Sequence, residues 1–193
     1  MVKFLINIVK KNFKPSYYLS LILNYIEHLR IGNSKFIFIS NNCFGTELYF
    51  STKRNYNTPI IGVYLWPDCY IKFLSEFEKN LDEELIFINK SRYLENENLE
   101  KGKVYPIAII NNNIEIHFYH YTSEEDAKNK WRRRIERMKK DLKNGCPLFI
   151  KICDRDKCTT NHLELFHKLP FKNKISISTN SFNHEQHIVV PKL

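Results

Sequence analysis

Short runs of apolar residues, separated by polar loops, recur along the chain and predict β-strands. The run Ile114–Tyr119 alternates apolar and polar positions, and Asn111–Asn113 before it predicts a hairpin turn. The polar tail from Asn180 predicts an edge strand or a loose segment. The predicted strands are Lys35–Ile39, Ile60–Leu65, Leu85–Ile88, Tyr105–Ile110, Ile114–Tyr119, Leu148–Cys153 and Ile175–Ser178.

Apolar residues spaced three to four positions apart predict the helices. The longest follows the capping residues Thr122 and Ser123, and Asn144-Gly145 terminates it. The predicted helices are Tyr17–Arg30, Thr46–Phe50, Asp68–Asn80, Glu124–Lys143 and Leu163–Lys168. Together the elements predict an α/β fold with a mixed β-sheet flanked by helices and a ligand loop at a strand-to-helix turn. We expect a single domain over residues 1–193, with residues 1–33 as an N-terminal helical lead-in.

The composition of the chain indicates where the protein is located in the cell and which kind of partner it binds. The chain carries 30 basic and 21 acidic side chains, a net charge of +9, which suits an anionic partner or reflects only a lysine-rich composition. Five cysteines, an odd number, argue against a disulfide framework. No stretch reaches the ~20 apolar residues of a membrane span. We therefore expect a cytoplasmic protein, with peripheral contact of the run Phe4–Val9 and its flanking lysines to the inner membrane as an option.

The loop Ser40–Gly45 is the first candidate site, because it follows a predicted strand and precedes a predicted helix. Backbone amides at such a turn suit phosphate or carboxylate, and the amides of Asn41 and Asn42 suit sugar hydroxyls. Cys43 in this position is a candidate nucleophile. The alternative is that the asparagines only form the turn and that Cys43 is a small buried apolar residue.

The longest predicted helix carries the second candidate site. Its buried stripe is predicted to be Ala127, Trp131, Ile135, Met138 and Leu142. Lys130, Arg133, Arg134 and Arg137 share a neighbouring face, where Arg134 and Arg137 are predicted to clamp a phosphate opposite the Ser40–Gly45 loop. For Arg132, Lys139 and Lys140 a solvated face is the preferred interpretation.

Further side chains carry alternative chemistry. His120 is a candidate general base or hydrogen-bond donor, or else a structural histidine at the end of a strand. Asp154 and Asp156 are weak candidates for holding a divalent metal together with a nucleotide-sugar, and no cofactor is certain. Cys153, Cys158 and His162 lack a fourth ligand at a spacing typical of zinc sites.

Several motifs occur in an order that resembles a bacterial family whose shared domain has no assigned function and whose members lie in exopolysaccharide, capsule and lipopolysaccharide clusters. The motifs are Ser40–Gly45, Thr58-Pro59, Tyr105-Pro106, His120–Ser123 with Tyr121, and Lys130-Trp131 with Arg134 and Arg137. Thr46 stands where many members have a second glycine. The resemblance implies a role in polysaccharide assembly and no particular reaction.

The expected function is a transferase that acts on a nucleotide-activated or lipid-phosphate-linked sugar. The Ser40–Gly45 loop and Tyr121 would bind substrate, Lys130, Arg134 and Arg137 would contact phosphate, and His120 would handle a proton. One alternative is an acyl- or phosphoryl-transferase with Cys43 or His120 as the nucleophile. Another is a non-catalytic binding or assembly protein of the same pathway. Nucleic acid is not expected, because the basic helix lacks an aromatic platform.

Overall fold

The computed structural model describes residues 35–93, 104–111 and 113–190. Lys35–Thr46 and the chain from Tyr56 onward form one compact unit, and Glu47–Asn55 belong to another. In Glu47–Asn55 the end of a helix is followed by a turn in which Lys53 adopts a positive φ of 52°. The predicted helix Tyr17–Arg30 and the run Phe4–Val9 lie outside the described residues. The single-domain organisation therefore stays a prediction.

The described chain contains both helices and strands, with a parallel sheet whose strands are separated by helices, which confirms the predicted α/β class. In chain order they are β1 (Ile37–Ser40), α1 (Phe44–Ser51), α2 (Pro67–Ser75), α3 (Phe77–Asp82), β2 (Ile86–Ile88), β3 (Ile107–Ile110), β4 (Ile114–His117), α4 (Glu124–Lys143), β5 (Leu148–Cys153), α5 (Thr160–Lys168), β6 (Asn173–Ser178) and β7 (His187–Val189). The strands divide between two sheets, one parallel and one antiparallel, where the sequence predicted one mixed sheet.

The parallel sheet has the strand order β1-β5-β6-β7. Ile37 pairs with Leu148 and Ser40 with Lys151, so β1 and β5 begin together and β5 continues past the end of β1 to Cys153. Apolar side chains of the two strands, including Ile39 and Ile152, are fully buried. Because all four strands run the same way, the residues that follow them meet at one carboxyl edge.

The antiparallel sheet is β2-β3-β4, and its β3–β4 hairpin turns at Asn111, which adopts a left-handed φ of 49°. The predicted strand Ile60–Leu65 is wrong. Gly62 has a φ of +69°, and a Cβ there would lie 3.2 Å from His120 Cβ, so the backbone bends at this point. Only Tyr64 forms a bridge, with His117. The N–H of Leu65 donates to the carbonyl of Asn41 at 3.0 Å, which ties this segment to the end of β1.

The helices largely follow their sequence patterns. The predicted helix Asp68–Asn80 is two helices, because the backbone at Glu76 leaves the helical region and Asn80 Nδ2 donates to the carbonyls of Lys72 and Phe73. Helix α4 is confirmed at its predicted bounds, with Ser123 capping the N–H of Asp126 at 3.1 Å. Helix α2 packs against β4 and α5, and Tyr70 of α2 donates to the carbonyls of Ile39 and Lys151, so α2 contacts both sheets.

Three histidines join β6, β7 and α5 at the far side of the parallel sheet. Ser176 Oγ lies 2.7 Å from both His167 Nε2 and His187 Nδ1, and the rings of His167 and His184 stack with centroids 3.6 Å apart. Burial, followed by the charges of His184, Lys174 and His187, lowers the pKa of His167 from 6.5 to about 4. The folded protein therefore favours the neutral His167 ring.

Stability is expected to fall as the pH decreases from about 6.5 towards 4. In this window the unfolded chain takes up a proton at His167 and the folded chain does not, so acid favours unfolding. Melting temperatures between pH 7 and pH 4.5 check this, with His167→Gln as the control, since Gln does not titrate. The fall should be shallower in the variant, and an equally steep fall in both proteins contradicts the prediction.

Candidate functional site

Asn42 organises the strand-to-helix loop that the sequence singled out. Its Oδ1 accepts hydrogen bonds from Ser40 Oγ at 3.1 Å, the N–H of Phe44 at 3.3 Å and Lys151 Nζ at 3.4 Å. Its Nδ2 donates to Cys153 Sγ at 3.0 Å. One side chain thus caps the start of α1 and joins the carboxyl ends of β1 and β5.

Lys151 is the charged residue that lies deepest at this edge. It is 3% exposed. Its ammonium donates a long hydrogen bond of 3.4 Å to Asn42 and lies 4.9 Å from the centre of the Phe44 ring. Within the described part of the chain no carboxylate forms an ion pair with it. The contact with Phe44 contributes about 0.5–2 kcal/mol, whereas removing an ammonium from water costs several kcal/mol. The charge is therefore poorly compensated.

Asn41 is the second under-compensated group. It is fully buried, its backbone carbonyl accepts from Leu65, and its Oδ1 lies 3.8 Å from Cys153 Sγ. Its Nδ2 has no acceptor among the described residues. A buried amide donor without a partner is uncommon in native proteins and calls for an explanation.

The remaining loop residues are placed as follows. Cys43 is half-buried, and its carbonyl accepts from the N–H of Thr46 at 2.9 Å. Gly45 is buried, and a Cβ there would make ordinary contacts with Phe38 and Ser40 at 3.6 and 3.8 Å. Close backbone approach therefore does not require glycine at this position. Thr46 Oγ1 accepts from the N–H of Gly62 at 3.0 Å.

The predicted metal-ligand candidates have protein partners. Asp154 Oδ2 accepts from the N–H and the hydroxyl of Thr179 at 2.6 and 2.9 Å, which joins the ends of β5 and β6. Asp156 adopts a positive φ of 57° in the following turn. Burial, followed by the neighbouring Cys153, Asp154 and Asp156, raises the pKa of Cys158 to about 12, so it stays a thiol at neutral pH. In residues 35–93, 104–111 and 113–190 no three His, Cys, Asp or Glu side chains are placed to hold a metal.

His162 lies in the first turn of α5 and links this helix to α2. Its Nδ1 accepts from the N–H of Thr159 at 2.9 Å, and its Nε2 lies 3.0 Å from Asp68 Oδ1. Both ring nitrogens are thus engaged with protein groups. This arrangement fits a helix cap better than a metal ligand.

The basic residues of α4 surround a different segment, the irregular stretch that ends at Gly62. Arg134 is 7% exposed, donates to Tyr121 Oη and to the Ile61 carbonyl, and lies over the Tyr56 ring at 5.1 Å. Tyr121 Oη also donates to the Ile61 carbonyl at 2.6 Å. These contacts are with protein groups, and they indicate that Arg134 stabilises the fold. A phosphate-binding role for Arg134 stays a prediction.

The other candidates near α4 are more exposed. Arg137 donates to the carbonyl of Tyr56, and Lys130 pairs with Asp126 at 2.8 Å. His120 is exposed, and its N–H donates to the carbonyl of Gly62 at 3.0 Å. The structure groups Lys130, Arg134 and Tyr121, since Lys130 Nζ lies 5.2 Å from the Tyr121 ring centre.

A row of buried polar side chains, joined by hydrogen bonds, crosses the antiparallel sheet and was not predicted from the sequence. Glu115 Oε1 lies 2.8 Å from His117 Nε2 and accepts from Ser91 Oγ, and Glu115 Oε2 accepts from the N–H of Arg92 at 3.2 Å. His117 Nδ1 lies 3.2 Å from Tyr105 Oη. Burial alone would raise the pKa of Glu115, but hydrogen bonds from His117, Ser91 and Arg92 outweigh it and lower the pKa. A Glu and a His two residues apart in an alternating strand were the only sequence signal.

The fold, together with the carboxyl edge of the parallel sheet where Asn42 lies, defines an α/β protein with a strand-to-helix loop at that edge. The family described as "Domain of unknown function (DUF1919)" matches residues 16–192, and the chain belongs to it. The chain is also 34% identical over 146 residues to a Haemophilus influenzae protein that bears the name "Uncharacterized protein". That match covers 76% of this chain but 63% of the relative, so the chain spans less than two thirds of the relative's length.

In the part of the chain that the structure describes, every helix is too short or too polar to cross a bilayer.

Proposed function

We propose that this protein is a transferase of bacterial surface-polysaccharide assembly that acts on a nucleotide-activated or lipid-phosphate-linked sugar. The observation that carries the proposal is the polar carboxyl edge of the parallel sheet, where Asn42 gathers Ser40, Lys151 and Cys153 beneath a strand-to-helix loop. Ligands of open α/β sheets bind at such edges. Amide and hydroxyl groups there suit sugar hydroxyls, and the lysine suits an anion.

The other proposed roles depend on where His120, Cys43 and Arg137 lie in the fold. His120 is exposed and keeps its proposed role in handling a proton, and Cys43 at the start of α1 is retained as the alternative nucleophile for an acyl or phosphoryl group. Arg137 is exposed and keeps its proposed phosphate contact. The polysaccharide pathway is supported by the motif resemblance, which runs from Ser40 to Arg137.

The proposal places the protein in the cytoplasm, with peripheral contact to the inner membrane. Its support is the outward face of α4, where Arg132, Arg133 and Lys140 are exposed and suit an anionic leaflet. Sedimentation with phosphatidylglycerol vesicles tests the contact. Binding that survives Arg132→Glu with Arg133→Glu, or that does not weaken with salt, would argue against this face.

Binding and transfer are tested together with a panel of nucleotide-sugars and isoprenyl phosphate-linked sugars. We expect one class to raise the melting temperature and to serve as a donor when sugar transfer to an acceptor lipid is followed with a labelled sugar. Asn42→Ala should weaken that ligand by about tenfold, since it removes the residue that shapes the loop. Asn89→Ala, an exposed asparagine after β2, is the matched control and should bind normally. If no activated sugar binds or reacts, the proposal is wrong.

A further inference from the structure

We propose that Lys151, together with the amide of Asn41, forms a buried binding site for the phosphate group of the substrate. Neither Lys151 nor the side-chain amide of Asn41 was assigned to phosphate from the sequence. The phosphate clamp predicted there was Arg134 with Arg137. The inference deepens the proposed function and rests on it for the identity of the molecule that carries the phosphate. The site itself requires only an oxyanion.

Two lysines of the parallel sheet differ in what their ammonium groups contact. Lys174 on β6 is also partly buried, but its ammonium donates to the backbone carbonyls of His167 and Leu169, so its donors are used within the protein. Among the residues that the structure describes, the ammonium of Lys151 on β5 contacts only Asn42, by the hydrogen bond of 3.4 Å, and the face of Phe44. A buried cation that lacks a paired anion is expected where a ligand supplies the anion.

A network of polar contacts connects Lys151 to Asn41. Lys151 contacts Asn42 Oδ1, Asn42 Nδ2 donates to Cys153 Sγ, and Cys153 Sγ lies 3.8 Å from Asn41 Oδ1. At one end of this network the ammonium has donors to offer, and at the other Asn41 Nδ2 is buried without an acceptor among the described residues. Phosphate oxygens accept several hydrogen bonds from such donors at once.

The carboxylate near Lys151 and the ring that covers its ammonium are both compatible with an anion that binds from solvent. The carboxylate that follows β5, that of Asp154, accepts from the N–H and hydroxyl of Thr179, and among the described residues it forms no ion pair with Lys151. Phe44, whose ring covers the ammonium at 4.9 Å, is 48% exposed. The proposal requires this ring to move aside when a phosphate arrives from solvent.

The experiment measures stabilisation of the full chain by inorganic phosphate and pyrophosphate in wild type, Lys151→Met and Lys174→Met. Methionine keeps most of the side-chain volume and removes the charge. We expect Lys151→Met to melt at or above the wild-type temperature without ligand, because a buried unpaired charge is gone. Its apparent Kd for pyrophosphate should rise by about ten- to a hundredfold. Lys174→Met should melt lower and keep the wild-type Kd.

The outcomes separate the anion site from the transferase proposal. If wild type does not bind phosphate or pyrophosphate, or if Lys151→Met binds them like wild type, the anion site is wrong. If the Lys151 effect is present, nucleoside diphosphate-sugars and isoprenyl phosphates then identify the carrier by which of them binds more tightly than pyrophosphate and loses affinity in Lys151→Met. When neither does, the anion site stands and the transferase proposal fails.

Discussion

Replacement of Arg134 by alanine is expected to destabilise the protein by about 2–4 kcal/mol. The guanidinium is buried and joins α4 to the segment before Gly62 through Tyr121 Oη and the Ile61 carbonyl. Alanine leaves these acceptors with fewer donors and removes the packing of Arg134 over Tyr56. Urea unfolding followed by circular dichroism measures the loss as a shift of the transition midpoint.

Arg137 is the matched comparison, because it lies one turn further along the same helix and is exposed. Arg137→Ala should cost less than about 1 kcal/mol, as for most surface positions. Tyr121→Phe should reproduce part of the Arg134→Ala loss, since it removes the hydroxyl that Arg134 contacts. An Arg134→Ala protein that is as stable as wild type but no longer binds phosphate would restore the clamp predicted from the sequence.

The regular elements of the fold were predictable because their patterns are local. Helix α4 combines a cap at Ser123, a stripe from Ala127 to Met138 and a stop at Gly145, and each signal points to the same bounds. The run Ile60–Leu65 is as apolar as a strand, but a single glycine with positive φ and burial between other elements override its pattern. Burial alone explains the apolar residues there, so composition does not distinguish the two structures.

The candidate site was predictable in position but not in composition. A loop between a strand and a helix indicates the carboxyl edge, and Ser40–Asn42 lie there. Lys151 was missed because one lysine inside an apolar run suggests a solvent-facing strand position, and its depth follows only from the pairing of Lys151 with Ser40 across β5 and β1. The orientation of Arg134 likewise depends on where Tyr121 and Ile61 fold, which helical spacing does not contain.

Replacement of Glu115 by alanine is expected to cause the largest loss of stability, about 3–5 kcal/mol. Glu115 is 1% exposed, and its carboxylate accepts hydrogen bonds from Ser91 and Arg92 beside the fully buried His117. Alanine removes the acceptor and leaves these donors without a partner in an apolar surrounding, which costs more than the loss of the hydrogen bonds themselves.

The pH dependence of Glu115 gives a second test of the same network. Its pKa is lowered from 4.5 in the folded protein, so its contribution to stability is complete above about pH 4.5 and is lost as the pH falls through the folded value. Glu115→Gln keeps the shape and some hydrogen bonds, and it should flatten this acid limb while costing less than alanine. Urea unfolding of wild type and both variants at pH 7 and pH 4 measures both effects. If Glu115→Ala costs less than about 1 kcal/mol at pH 7, the buried carboxylate does not hold β4 to the Ser91–Arg92 segment, and the row of buried polar side chains through His117 and Tyr105 must be stabilised by its aromatic contacts instead.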